Sequence, residues 1–244
     1  MTRKKIQPLI GCSGYYYSNW KKGFYPEKCP PSKWLQHYSS IFNTVELNGT
    51  FYRMPRLSTL KKQAENTPDD FKFSVKMNKY VTHVLRLKET SPQITEFMEL
   101  MEEGLGKKLH RVLVQMPPSF KFTEENVARL EEAPLGKKHV IEFRHTSWWN
   151  AETIKMLRRK KCTFCNVDFP GMETSFLHSG KEFYLRLHGN PVLFKSSYSD
   201  ESLREFCQQV PAGSSPCAVY FNNTYYDAGY RNAERFRELW HDLQ

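Results

Sequence analysis

Apolar residues along this chain come in short runs, and the period of the runs changes as the chain proceeds. Stretches rich in strand formers occupy residues 6–13, 44–48, 71–78, 111–116, 139–144, 162–169, 183–188 and 217–222. Between them the spacing turns helical. In KWLQHYSSIF, Trp34, Leu35, Tyr38 and Ile41 fall on one helical side. Residues 57–66 form a second candidate, stopped at Thr67-Pro68 because proline disfavours helix in the residue before it. Ser91-Pro92 opens QITEFMELMEEGL with a cap and a first-turn proline, and Thr123 caps EENVARLEEA. Residues 151–160 end in basic side chains, which suit the negative helix end; Ser199 caps DESLREFCQQV, and residues 232–243 carry Phe236, Leu239 and Trp240 on one side.

Strands each followed by a helix, eight times over, predict a single (β/α)₈ TIM barrel spanning residues 1–244. Such barrels usually run to about 250 residues. The alternative, a doubly wound open sheet, needs a glycine-rich phosphate turn behind the first strand. The chain has only Gly11-Cys-Ser-Gly14 there, without the third glycine, and an aromatic run follows in place of a helix. The barrel is the better reading.

Alternation along each strand then sorts side chains into two sets, one towards the helices and one into the barrel. In VIEFRHTSWWN, Ile141 and Phe143 take the helix side, so Val140, Glu142 and Arg144 point inward. The same parity turns Glu46, Asn48, Lys76, Gln115, Tyr184, Arg186, His188, Tyr220 and Asn222 inward, together with Asn166 and Asp168. The polar members crowd towards the C-terminal strand ends, where barrels of this kind keep their active sites. An isolated buried charge costs several kcal/mol, so these groups must pair, bind a ligand or hold water. Any one pair, such as Glu142–Arg144 or Glu46–Lys76, is equally well a structural salt bridge. Polar ends on so many strands together point to a site.

Around that ring the loops are aromatic: Tyr15, Tyr16, Tyr17 and Trp20, then Phe51 and Tyr52, Trp148 and Trp149, Tyr225 and Tyr226. Stacking on a base or sugar is the functional reading and packing the plain one, the latter favoured for Trp148 at a helix start. The connection KYVTHVLRLKETSP brings Lys79, His83, Arg86 and Lys88 near the mouth, as a lid, an anion-binding flap or a solvated loop.

Composition adds little but excludes much. The formal charge of +10 tilts towards anionic partners, although the basic residues are scattered in pairs and form no tract. No apolar run approaches the roughly 18 residues of a membrane helix, and MTRKKIQPLI lacks a signal-peptide core, so a soluble cytoplasmic protein without a membrane partner is expected. The six cysteines suggest no disulfide scaffold, and Cys162 and Cys165, three apart on a strand, point to opposite faces and cannot grip one metal.

GCSGYYYSNW, TVELNGTFYRMP, TPDDFKFSVKMNKYVTH, VQMPPSF, IEFRHTSWW, YLRLHG and VYFNNTYYDAGYRNA, in this order, resemble the successive signatures of the YecE-like family, the domain of unknown function numbered seventy-two. The resemblance covers residues from about 10 to 240. It implies a TIM barrel and carries no activity. Tyr15-Tyr16-Tyr17 stands where the family more often has Trp-x-Tyr, and Gly49 where it often has Ser; neither change touches a charged group.

The ring admits three chemistries. The first expectation is metal-assisted phosphoester hydrolysis on a nucleotide or nucleic acid. Glu46, Glu142, Asp168 and His188 would ligate a divalent ion, and Lys76, Arg144 and Arg186 would hold the phosphate. Its weak point is that three cations among three carboxylates cancel, and no ligand motif fixes a spacing. The second is a metal-free isomerase or lyase on an anionic sugar or carboxylate: Arg144 and Arg186 bind the anion, Glu46 or Glu142 is the base, and Lys76 or His188 the acid. Imine chemistry at Lys76 ranks lower, because neighbouring carboxylates oppose a lowered pKa. The third is binding of a nucleotide or single-stranded nucleic acid without turnover. Across these readings Glu46, Lys76, Glu142 and His188 are the catalytic candidates. Asn48, Tyr52, Gln115, Arg144, Trp148, Arg186 and Asn222 are the substrate contacts. No pattern speaks to oligomeric state.

Overall fold

The computed structural model describes residues 7–172, 175–211 and 213–242. Its parallel strands are β1 (Leu9–Cys12), β2 (Thr44–Leu47), β3 (Lys72–Lys76), β4 (Leu109–Gln115), β5 (His139–Glu142), β6 (Thr163–Asp168), β7 (Phe183–Leu187) and β8 (Cys217–Phe221). They pair in the order β1-β8-β7-β6-β5-β4-β3-β2. The helices are α1 (Trp34–Ile41), the single turn α2 (Gly49–Tyr52), α3 (Leu57–Glu65), α4 (Ser91–Leu105), α5 (Glu124–Glu132), α6 (Ala151–Lys160), α7 (Asp200–Gln209) and α8 (Ala228–Asp242). The fold is the expected (β/α)₈ TIM barrel. Ile6, placed at the start of the first strand, and Leu243, placed in the last helix, lie outside the described residues.

Side chains stitch the seam between β1 and β2. The Asn43 amide accepts from Ile10 N at 3.1 Å and donates to Pro8 O at 2.8 Å. Tyr38 Oη accepts from Cys12 N at 2.7 Å and donates to Thr44 O at 3.0 Å. Gly11 permits the approach, because a Cβ there would lie 2.1 Å from Thr44 O. Two side chains thus satisfy backbone groups that a ladder serves elsewhere.

Helix ends follow their caps. Thr123 accepts from Asn126 N at 3.3 Å, Asn150 from Thr153 N at 2.7 Å, and Ser199 from Ser202 N at 3.2 Å. Ser91, expected as a cap, is already inside α4, and Thr90 precedes it without a side-chain bond. The connection after β3 is not an open loop: its first part is a π-helical turn, Tyr80–Val84.

The core divides as the alternation requires, with one exception. Val45, Phe73, Val75, Val112, Val114, Ile141, Phe143, Phe183, Leu185, Val219 and Phe221 pack under the helices, while Leu113, Val140, Cys165, Val167, Tyr184, Ala218 and Tyr220 fill the barrel. The exception is β6, where Cys165 and Val167 face in. Asn166 faces out, donating to Leu177 O at 3.0 Å and accepting from Leu177 N at 2.8 Å. The cause is local. Among the described residues no helix follows β6, and an irregular segment covers its outer face, so outward polar side chains there satisfy loop backbone.

Candidate active site

Arg186, rising inward from β7, joins two carboxylates across the barrel. Its Nη2 and Nε donate to Glu46 Oε1 at 2.7 and 3.0 Å, and its Nη1 donates to Glu142 Oε2 at 2.6 Å. Glu46 also accepts from Ser13 Oγ at 2.7 Å and from Tyr184 Oη at 2.8 Å. The other oxygen of Glu142 accepts from Arg144 Nε. Glu46, Glu142 and Arg186 have no exposed surface. Burial alone would raise the Glu142 pKa, but Arg144 and Arg186 outweigh it and hold the carboxyl well below its usual range. Burial would lower that of Arg186, and Glu142 and Glu46 overcome it and raise it.

His188 stands above this floor. Its Nε2 lies 3.1 Å from Arg144 Nη2 and 3.4 Å from Arg186 Nη1. A nitrogen facing two guanidinium donors must accept, so the other nitrogen carries the proton of the neutral ring. That Nδ1 lies 2.8 Å from the Asn222 amide, whose oxygen therefore belongs on this side. Burial, with Arg144 and Arg186 adding to it, holds the imidazole pKa well below its usual value. His188 is neutral across the physiological range.

Lys76, at the end of β3, completes the ring. Its ammonium sits over the Phe51 face, 4.2 Å from the ring centre, and has no hydrogen-bond or ion-pair partner among the described residues. Burial and the Arg186 charge lower its pKa to about 8, against the opposing pull of Glu142 and Glu46. Three cations (Lys76, Arg144, Arg186) thus meet two carboxylates (Glu46, Glu142), a formal excess of one positive charge. Arg144 also lies 4.1 Å over the Phe169 ring, which meets His188 edge-on at 5.4 Å. His83, on the π-helical turn, packs edge-on to Phe51 at 4.9 Å; burial, then Lys76 and Arg144, lower its pKa.

Next to the ring a cavity of about 690 Å³ opens between β1, β2 and α3. Tyr15, Tyr16, Tyr17, Asn48, Arg53 and Arg56 line it. It touches the ring at Ser13, whose hydroxyl holds Glu46, and its lining does not include Lys76, Glu142, Arg144 or His188. Asn48 Oδ1 is buried there with no partner among the described residues.

The structure therefore brings together Glu46, Lys76, Glu142, Arg144, Arg186, His188 and Asn222. Gln115 joins them at the rim, in register with Glu142 across the β4–β5 pair. Asn48 lies in the adjoining cavity, and Tyr52 projects into solvent beside Phe51. Two candidates are elsewhere. Asp168 cannot serve as a metal ligand with the ring, because it lies on the outer side of β6, accepting from Tyr198 Oη at 2.5 Å and from Asn190 at 3.2 Å. Trp148 cannot meet a substrate. It has no exposed surface, stacks on Phe143 at 4.2 Å and donates to Phe120 O at 2.7 Å.

Without Asp168 the divalent-metal set loses its third carboxylate. The remaining donors face guanidinium groups, and among the described residues no cluster of three or more His, Cys, Asp or Glu is placed to hold a metal. Two arginine-bound carboxylates and a guanidinium-facing imidazole make a poor cation site. Sequence reasoning passed over Ser13, which follows the inward parity of Leu9 and Gly11, and named Trp149 only among the loop aromatics, not as a substrate contact. Trp149 packs against the barrel interior, its buried Nε1 without a partner among the described residues. In a Trp-Trp pair on one turn, one ring under the helices leaves its neighbour nearer the rim.

Comparison with known proteins adds family and fold. The family profile described as "Protein of unknown function DUF72" matches residues 9–244. The curated relative YunF of Bacillus subtilis is 33% identical over 52% of this chain and 48% of its own length. YecE of Escherichia coli K12 is 31% identical over 47% and 43%. The chain thus aligns with about half the length of the curated relatives it matches. A DUF72 family crystal structure from Thermotoga maritima covers 96% of this chain and 99% of its own, at 32% identity and a TM-score of 0.82. Another, from Enterococcus faecalis, is 19% identical at a TM-score of 0.81 and speaks for the fold alone. Among the described residues no helix is long and apolar enough to cross a membrane.

Proposed function

We propose, for a chain that belongs to the DUF72 family of proteins of unknown function, that the barrel rim is a metal-free proton-transfer site for a small oxyanionic substrate. The substrate is a sugar or oxo acid bearing phosphate or carboxylate. One observation carries the reading: the Lys76 amine is the sole ring cation without a carboxylate partner among the described residues, and its pKa of about 8 lets it hold or release a proton near neutrality.

The roles follow from what each group has free. Glu46 and Glu142 are bound by guanidinium groups and hydroxyls, so neither is poised as the base that the residue pattern alone first indicates. They instead fix Arg186 and Arg144, and the spare positive charge attracts the anion. Neutral Lys76 takes a proton from carbon beside a carbonyl, and the resulting ammonium returns it to an adjacent atom. That is the chemistry of an isomerase or lyase. The adjoining cavity of about 690 Å³ receives the non-reacting part of the substrate, with the tyrosines against its apolar faces.

The lowered pKa also favours a second use of the same amine. Burial outweighs the opposing pull of the neighbouring carboxylates. A neutral amine can add to a carbonyl carbon, with loss of water, to form an imine. Borohydride added during turnover then leaves a mass increment on Lys76 only if the imine forms.

The test of the main reading is solvent exchange. The full chain is incubated in D₂O with a panel of phosphorylated sugars and oxo acids, and loss of C–H signals is followed by proton NMR. Exchange should appear with at least one compound and fall by roughly 10²–10⁴-fold in Lys76→Met. Exchange indifferent to Lys76→Met, or turnover that requires an added divalent ion and stops with chelator, contradicts it.

A further inference from the structure

The opposite mouth of the barrel carries a second cavity, and its chemistry differs from that of the rim. It measures about 660 Å³ and lies at the N-terminal strand ends, against β4, the lead-in to β5, the end of α6 and the lead-in to β7. Arg111, Lys137, Lys138, Arg158, Lys161 and Lys181 line it, opposed among the described residues by one carboxylate, Glu182. One oxygen of that carboxylate is already taken. Its Oε2 accepts from Arg111 Nη2 at 2.7 Å and Nε at 2.8 Å, and from Thr163 Oγ1 at 2.9 Å. None of Lys137, Lys138, Arg158, Lys161 and Lys181 has an ion-pair partner among the described residues. Lys138 and Arg158 donate only to the backbone carbonyls of Leu109 and His178, at 3.1 and 3.0 Å.

Like charges gathered in one concavity repel, and lysines that served only solubility would spread over convex surface. Burial, with the nearby Arg111 charge adding to it, lowers the pKa of Lys138. We propose that this cavity binds a compact polyphosphate, a chain of three or more phosphates, at a site distinct from the proton-transfer rim. Five cations without carboxylate partners exceed what a single phosphate neutralises. Among the described residues the lining holds no Phe, Tyr or Trp on which a base could stack, and a recess of this size suits a compact ligand rather than a strand. The Gly180 backbone N–H and the Ser215 hydroxyl in the wall add donors for phosphate oxygens, while the Ser179 hydroxyl is already given to Cys162 O at 3.0 Å.

The probe is inorganic tripolyphosphate, titrated calorimetrically into the full chain at low salt. Saturable binding to one site is expected, at least about 10-fold tighter than orthophosphate and weakened by salt. Lys137→Gln with Lys181→Gln removes two exposed loop lysines, and should weaken it by about 10-fold or more. Lys161 sits in the left-handed region at φ 59°, so Lys161→Asn removes its charge while keeping a residue tolerant of that backbone, and should weaken binding likewise. Lys76→Met should leave tripolyphosphate affinity unchanged, which separates the two sites. The proposal is overturned if the lysine variants bind normally, if Lys76→Met abolishes binding, if orthophosphate binds equally well, or if a single-stranded oligonucleotide binds more tightly than tripolyphosphate.

Discussion

The two mouths of the barrel both hold carboxylate against arginine, and they use the pairing differently. At the C-terminal mouth Arg186 lies between Glu46 and Glu142, with all three fully buried. At the N-terminal mouth Arg111 meets Glu182 with both side chains 11% exposed. Above the first pair the excess charge is a single buried amine of lowered pKa; around the second it is a ring of exposed lysines with Arg158. A dry network with one adjustable proton suits chemistry, and a wet ring of fixed charges suits holding an anion.

The largest expected effect breaks the comparison at its centre. Arg186→Met leaves two buried carboxylates without their shared partner and should cost about 3–5 kcal/mol in urea unfolding. Arg111→Met leaves Glu182 near solvent with Thr163, and should cost no more than about 1–2 kcal/mol. Equal losses would mean that the two ends are energetically alike.

Lys76→Met should have the opposite sign. The folded pKa of about 8 lies below the ordinary lysine value of 10.5, so the folded state holds the proton less tightly than the unfolded one. That cost is fully present below pH 8 and is relieved as pH rises from about 8 towards 10.5. At pH 7 the methionine variant should therefore be more stable by about 1–3 kcal/mol while losing exchange activity. Its gain over wild type should shrink above pH 8, the range in which anion affinity at the rim also declines. A variant less stable than wild type at pH 7 would show the ammonium to be favourably held.

The smallest effect sharpens the assignment of roles. Asp168→Asn loses a charged acceptor for Tyr198 and should cost about 1–2 kcal/mol, without altering anion affinity at the rim. A change in that affinity would return Asp168 to the site.

Much of this was legible in the chain because strand period is strict. Glu46, Lys76, Glu142, Arg186 and His188 all stand inward as alternation requires, each opposite apolar residues that pack under helices. Parity misled only at β6, where a helix was assumed. Asn166 and Asp168 look inward on the assumption that their neighbours need an apolar cover, and a loop supplies polar partners on the outside instead. Trp148 was ambiguous for a related reason: adjacent tryptophans on a turn carry no period, and the packing of Phe120 and Phe143 decides which is buried. The lowered Lys76 pKa was not legible at all. It depends on how deeply the amine is buried and on whether Glu46 and Glu142 reach it or are captured first by guanidinium groups.

The charge state of that one amine is the most direct test. With the lysines labelled by reductive ¹³C-methylation, and Lys76 assigned by its absence from the Lys76→Met spectrum, its titration is read by NMR. The account predicts a midpoint near 8, moving upward when phosphate occupies the rim. A midpoint at the ordinary lysine value, unmoved by phosphate, contradicts it.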